Sequence, residues 1–182
     1  MPVSGDFRYE QKGMRVPYPA NYEPGRTNAG YIDLRGRPDR VDEIHEASRS
    51  PALARLLREI ASGEDWITLG CDLGAHVEQG GSGKVHVAGG YLQLTTAELT
   101  SLPDVFEKAG ERIFRYLEDA VQDDSWQTFF EISPIEFRLV GKDPCTGGSL
   151  KVSFFAEASV PRRARASRER LISGIRLGLL SD

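Results

Sequence analysis

The chain has few of the residues that identify simple functional classes, with only two cysteines, three histidines and two methionines among 182 residues. Cys71 and Cys145 have neither the number nor the spacing of a disulfide framework or a zinc knuckle. No apolar run approaches the roughly 18 residues that a membrane-spanning helix needs. The first residues also lack the basic start and apolar core of a secretory signal. These absences predict a reduced, cytoplasmic protein that is not bound to a membrane.

A strong excess of charge of one sign is also missing, because 23 basic and 27 acidic residues leave a net charge of only −4. This balance argues against attraction of the whole protein to nucleic acid. The apolar and charged fractions are those of an ordinary globular chain, which excludes a disordered or fibrous protein. The length suits one domain with a sizeable core. The excess of arginine over lysine indicates a bacterial source with GC-rich DNA.

The first 30 residues show no hydrophobic periodicity, and four prolines interrupt them. Their aromatic residues, such as Phe7, Tyr18 and Tyr22, are more numerous than a disordered tail would contain. We therefore divide the chain into an irregular N-terminal arm, residues 1–30, and a single α+β domain, residues 31–182. The arm is expected to lie over the domain or to reach a neighbouring chain, with a loose tail as the alternative.

Two stretches alternate apolar and polar residues in the way that is typical of half-buried β-strands. The first begins at Trp66, turns through a glycine-rich loop and returns to Thr95, with a predicted inward face from Ile67 to Val77. The second begins at Trp126 and also forms a hairpin. Both begin with the pattern Trp-x-Thr-apolar and both are followed by a helical apolar stripe. A ββα duplication is one interpretation of this repeated order.

Three helices are predicted from apolar periodicity and from start signals such as Ser50 followed by proline. They cover residues 50–63, 101–121 and 161–180. Strands that are joined by short loops should be antiparallel, and their apolar faces need covering. We therefore predict an α+β fold in which an antiparallel sheet of about four to five strands has helices packed on one face.

The sharpest chemical candidate is a pair of histidines on the first hairpin. A register with a five-residue loop would place His76 opposite His86 and Glu78 opposite Lys84 on the polar face. Asp72 lies on the same face, so that two imidazoles and a carboxylate could bind a transition metal. The simpler interpretation is two exposed histidines on a hairpin. We predict no cofactor and no resident metal, and keep this cluster as the alternative.

Two further surfaces are candidates for partner binding. Phe155 lies on the polar face of its strand, where either the arm covers it or a partner uses it. The C-terminal helix carries six arginines, including Arg162, Arg163 and Arg165, against two acidic residues. This charge segregation indicates docking on the acidic remainder of the chain or on an acidic partner. Nucleic acid is disfavoured because no glycine–aromatic or zinc pattern accompanies the arginines.

No catalytic residues are predicted, because no cysteine or serine lies in a nucleophile motif and no helix follows the glycine-rich hairpin loop. We predict a protein that binds another macromolecule without catalysis, for which a toxin-neutralising (immunity-type) or accessory role is the working hypothesis. The alternative is a metal-dependent ligand-binding protein or enzyme that uses His76, His86 and Asp72. A third hypothesis is a dimer formed through the open sheet face or an exchanged arm. The candidate partner-binding residues are Asp72, His76, Glu78, His86, Phe155, Arg162, Arg163 and Arg165.

Overall fold

A computed structural model describes residues 6–23, 26–80, 83–99, 102–122, 125–138 and 143–181. Within these ranges the chain forms eight strands and five helices, which confirms the α+β class. The short strands are β1 (Asp6–Tyr9), β2 (Met14–Val16), β3 (Asn21–Glu23) and β4 (Arg26–Asn28). The long strands are β5 (Trp66–Gly80), β6 (Gly83–Thr96), β7 (Ser125–Phe137) and β8 (Cys145–Ala158). The helices are a 3-10 helix (Pro38–Glu43), α1 (His45–Ser48), α2 (Pro51–Ser62), α3 (Pro103–Ala120) and α4 (Pro161–Leu180).

The start of α2 shows how local signals fix a helix. The Ser50 hydroxyl accepts a hydrogen bond from the Leu53 N–H at 3.1 Å, and Pro51 occupies the first helical position. The Glu169 carboxylate of α4 accepts from the Ser50 hydroxyl at 2.8 Å and from the Ala52 N–H at 3.2 Å. A negative charge is favourable at this end of a helix, so α4 also stabilises α2. No helix in the described part of the chain is long and apolar enough to cross a membrane.

The main sheet is mixed, so the prediction of a purely antiparallel sheet of four to five strands is wrong. The order β5-β6-β8-β7 is antiparallel throughout, whereas β1 and β2 both pair in parallel with β7. The sequence did not reveal these two strands because each is only four or three residues long, too short for alternation to be recognised. The segment predicted to be irregular therefore supplies two strands to one sheet edge. Strands β3 and β4 form a separate pair.

The two faces of the sheet are covered by different parts of the chain. Helices α2, α3 and α4 cover one face, here called the helix face, together with strand residues such as Leu92, Phe130 and Phe154. On the opposite face, here called the arm face, a smaller cluster joins Val16 of β2 to Phe137 and three further apolar residues. Val16 is completely buried. The arm therefore lies over the domain, which was one of the predicted alternatives.

A β-bulge at Leu69 divides β5, so the prediction of one continuous inward face from Ile67 to Val77 is wrong. Ile67 and Leu69 belong to the small cluster on the arm face, whereas Leu73 belongs to the main core on the helix face. Val77 is 52% exposed. One inserted residue shifts the side chains of a strand from one face to the other, and apolar residues on both sides of it hide the shift in the sequence.

The order ββα occurs twice, as β5-β6-α3 and as β7-β8-α4. The inner strands β6 and β8 are antiparallel neighbours, and α3 packs against α4. A twofold rotation between the two units would produce this arrangement. In both units Trp-x-Thr opens the outer strand, with Thr68 and Thr128 at matching positions. Descent of the two units from a duplication stays a prediction.

Candidate functional site

The register of the first hairpin separates the two histidines. His76 pairs with Val87 and His86 pairs with Val77, and the pairing continues to Gly80, where a five-residue loop was expected. The predicted register is therefore wrong by one position. Directly paired residues share a face and successive residues alternate between faces, so the two imidazoles lie on opposite faces of the sheet.

His76 contacts a carboxylate on its own strand instead. Its Nε2 atom lies 2.8 Å from Oε1 of Glu78, and both side chains are exposed. Glu78 pairs with Val85, so the predicted pairing of Glu78 with Lys84 is also wrong. Among the described residues, no group of three or more His, Cys, Asp or Glu side chains could hold a metal ion. The alternative built on His76, His86 and Asp72 thus loses its geometric basis.

Phe155 lies half-buried on the arm face, where its ring centre is 6.4 Å from that of Phe129 in an edge-on arrangement. The neighbouring strand leaves room for it at Gly89, where an added Cβ would lie 2.5 Å from the Phe155 ring. The pair forms an aromatic patch on the sheet, and its use by a partner stays a prediction.

The arginines at the start of α4 lie elsewhere. Arg162, Arg163 and Arg165 are all exposed. Arg165 borders a cavity of about 160 Å³ that the first turn of α4 forms with the hairpin, and both His76 and His86 contribute to its lining. Three of the predicted partner-binding residues, His76, His86 and Arg165, therefore share this small cavity, and the others lie on different surfaces. Only Asp72 lines the much larger cleft described next.

This cleft, here called the β5 cleft, has a volume of about 950 Å³ and lies beside β5. Strand β5 ends the sheet, because in the described part of the chain only β6 pairs with it. The lining of the cleft includes the apolar residues Ile32, Leu34 and Ile44. It also includes the aromatic residues Tyr18 and Tyr91. Charged and titratable side chains complete the lining, namely His45, Glu46, Arg49 and Asp72.

Tyr18 connects the arm to the bulge in β5. Its hydroxyl donates a hydrogen bond to the Leu69 carbonyl at 3.0 Å, and a Cβ added at Gly70 would lie 3.0 Å from the same hydroxyl. Thr68, on the other side of the bulge, is 5% exposed, and its hydroxyl has no hydrogen-bond partner among the described residues. The cleft therefore combines an open strand edge with a buried polar group that lacks a partner.

Two phenols and one thiol of the cleft are held in their neutral forms. Burial raises the pKa of Tyr18 to about 12 and the pKa of Cys71 to about 12, and the Glu46 carboxylate adds to both shifts. Burial, followed by the charge of Asp72, also raises the pKa of Tyr91. Cys71 is therefore a thiol near pH 7 and not an activated nucleophile. Both phenols are neutral, and the Tyr18 hydroxyl, which already donates to the Leu69 carbonyl, can still accept a hydrogen bond.

Sequence reasoning found Asp72 but missed its neighbours in the cleft. Tyr18 stood in a segment without periodicity, and Glu46 belongs to a helix of four residues. Only the aromatic content of the arm gave a signal, because it indicated that the arm contacts something. No protein-family model matches the chain, and comparison with curated proteins and with solved structures finds no match. The geometry of the cleft therefore supplies the functional argument.

Proposed function

We propose that this protein binds another protein through the β5 cleft and performs no catalysis. The observation that carries the proposal is the open edge of β5 inside a cleft of about 950 Å³. Main-chain N–H and C=O groups at a strand edge can pair with an extended chain from a partner. Clefts that bind small molecules have comparable volumes, so the open strand edge, and not the volume, is the feature that favours a protein partner.

The lining of the cleft also favours a protein partner. Tyrosine is enriched at protein interfaces because its ring supplies apolar contact area and its hydroxyl forms hydrogen bonds. Tyr18 and Tyr91 supply both to the cleft. Carboxylates and an arginine beside apolar residues give the mixture of charge and apolar surface that sets binding specificity. The elevated pKa of Cys71 supports a role without nucleophilic chemistry.

A toxin-neutralising (immunity-type) or accessory role is the form of binding that we propose, since such proteins act by occupying a partner's surface. We also propose a cytoplasmic location. Cys71 and Cys145 are both free thiols, as expected in a reducing compartment.

The experiment fills the cleft with a side chain and compares the result with a matched variant. In Gly70→Phe the new ring enters at the position where a Cβ meets the Tyr18 hydroxyl. In Gly74→Phe the same ring is added on the same strand and face, where a Cβ meets no atom within 4 Å. Both tagged variants and the wild type are used to purify partners from cells of the source organism, with quantitative mass spectrometry.

We expect one protein to be retained by the wild type and by Gly74→Phe and to be lost from Gly70→Phe. Circular dichroism and thermal melts check that all three chains are folded. Equal retention by the two variants, or equal loss from both, would contradict the proposal that the β5 cleft is the binding site.

A further inference from the structure

The outer strands of the two ββα units are covered differently. The edge of β7 is covered by β1, with Asp6–Tyr9 beside Phe129–Ile132 in parallel. The edge of its counterpart β5 is open in the described part of the chain and borders the β5 cleft. The covered edge therefore shows what kind of segment the open edge can accept.

The two outer strands can be aligned residue by residue. Thr68 matches Thr128, and the bulge residue Leu69 has no counterpart. Cys71 then matches Phe130, and both residues are on the helix face. By the same count Asp72 matches Glu131, and both lie on the arm face. Both outer strands thus have an apolar residue followed by an acidic one.

Strand β1 complements this pattern with an apolar residue followed by a basic one. Phe7 pairs with Phe130, and the two rings stack with centres 5.2 Å apart. Arg8 is in register with Glu131, and its guanidinium carbon lies 5.5 Å from the centre of the Phe129 ring. The Glu131 carboxylate itself lies 3.5 Å from the Lys151 ammonium of β8, so Arg8 adds a second cation on this face. The sequence Phe-Arg thus places an aromatic ring on the helix face and a cation on the arm face.

The β5 cleft offers the same two environments. Ile32, Leu34 and Ile44 line the cleft and supply apolar surface for a side chain opposite Cys71. For a side chain opposite Asp72, the cleft contains the carboxylates of Asp72 and Glu46 against one guanidinium, that of Arg49. The excess of negative charge favours a cation there.

The hydroxyl of Thr68 differs from its counterpart in the second unit. The matching hydroxyl of Thr128 donates a hydrogen bond to the Ser153 carbonyl at 2.9 Å. The Thr68 hydroxyl is buried and has no partner among the described residues, although Thr68 lines the cleft. Buried polar groups in proteins are nearly always hydrogen-bonded. Because Ser153 belongs to the inner strand β8, this contrast is a local property of the β5 bulge and is tested by itself below.

On the basis of the proposed function, we infer that the β5 cleft binds an extended segment of the partner protein. The segment runs parallel to β5, as β1 runs parallel to β7. It places an apolar residue opposite Cys71 and, directly after it, a lysine or arginine opposite Asp72.

The first test is an array of short peptides of about eight residues, in which the two central positions carry every dipeptide combination. The full chain is applied to the array. We expect apolar–basic dipeptides to bind best. In solution, fluorescence anisotropy should show about tenfold weaker binding when the basic residue of the best peptide is replaced by glutamate. An array without this preference would overturn the inference.

Reversing the charge at position 72 tests whether the basic residue of the peptide lies opposite Asp72. Asp72→Lys should reverse the preference, so that the peptide with glutamate binds more tightly than the peptide with arginine. Glu118→Lys makes the same change of charge on the exposed surface of α3 and should leave the preference unchanged. An unchanged preference in Asp72→Lys, or a reversal in both variants, would contradict the assignment.

N-methylation tests whether the peptide binds as a strand. Successive amides of a strand point to opposite edges, so methylation of one alternate set should abolish binding and methylation of the other set should not. A spin label at the peptide N-terminus should broaden NMR signals near Thr68 more than those near Leu73 if the segment is parallel. Equal tolerance of both methylated sets would refute strand addition.

The failures can be told apart. If no peptide binds but Gly70→Phe still loses the partner, the inferred segment is wrong and the proposed function stands. If Gly70→Phe keeps the partner, the proposed function itself is wrong. A dimer of the chain that the best peptide dissociates would show that the occupant is a second copy, which overturns the assignment to a partner protein.

Discussion

Replacing Thr68 by valine is expected to stabilise the free protein. Most substitutions of buried residues are destabilising, so the sign of this change is informative. The Thr68 side chain is 5% exposed, and its hydroxyl has no hydrogen-bond partner among the described residues. Valine has the same shape with a methyl group in place of the hydroxyl, so no cavity is created.

The magnitude follows from the cost of the hydroxyl. A buried polar group without a hydrogen bond costs about 1–3 kcal/mol of stability. Its replacement by a methyl group removes this cost, and we expect the free energy of unfolding to rise by about 1–2 kcal/mol. For a chain of this size, such a gain raises the melting temperature by about 2–8 °C.

The twofold repeat supplies the matched control, Thr128→Val. Thr128 is 1% exposed and occupies the corresponding position, but its hydroxyl donates to the Ser153 carbonyl at 2.9 Å. Loss of that hydrogen bond should lower the free energy of unfolding by about 1 kcal/mol. Thr68→Val should therefore be more stable than the wild type and Thr128→Val less stable, with about 2–3 kcal/mol between the two variants.

Urea denaturation followed by circular dichroism measures the free energy of unfolding of both variants. An unchanged dependence of this free energy on urea concentration would show that unfolding exposes the same surface area in each. If the two substitutions destabilise the chain by similar amounts, the Thr68 hydroxyl is satisfied and the contrast drawn from the repeat is wrong. If Thr68→Val is more stable but binds the best peptide less tightly, then the hydroxyl is used by the bound segment.

Three further predictions test other parts of the structure. Phe7→Ala should lower the free energy of unfolding by about 2–3 kcal/mol, because β1 loses the ring that stacks on Phe130. A decrease below about 0.5 kcal/mol in urea denaturation would mean that β1 does not pack against β7. In a Cys145→Ser background, Cys71 should react with iodoacetamide far more slowly than glutathione at about pH 8, since burial raises its pKa to about 12; equal rates would contradict this. Hydrogen bonding from Arg55 lowers the pKa of Glu59 in the folded chain below its ordinary value of 4.5. The carboxylate therefore stabilises the fold fully above pH 4.5, and this stabilisation is lost as the pH falls through the lowered pKa of the folded state. Glu59→Gln should therefore lower the free energy of unfolding by under about 1 kcal/mol near pH 7 and make that free energy fall less steeply with decreasing pH. If urea denaturation gives the variant and the wild type the same dependence on pH, the link between Glu59 and acid stability is refuted.

The sequence by itself determined the features that depend on neighbouring residues. The helix from Pro51 to Ser62 could be predicted from Ser50, the proline and the apolar stripe, because capping and periodicity act over a few residues. The two long hairpins could be predicted for the same reason, as could the α+β class. Asp72 was recognised as a candidate because the alternation places it on the polar face of its strand, together with His76.

Only the tertiary structure decided which strand edges are covered and which residues meet in the cleft. Strands β1 and β2 are held by pairing with β7, a contact across more than half of the chain that no local pattern records. The bulge at Leu69 and the true register of His76 depend on packing against both cores. Tyr18, Glu46 and Asp72 become neighbours because the arm and α1 pack beside the open edge of β5. Burial there also sets the pKa of Cys71, which the sequence could not reveal.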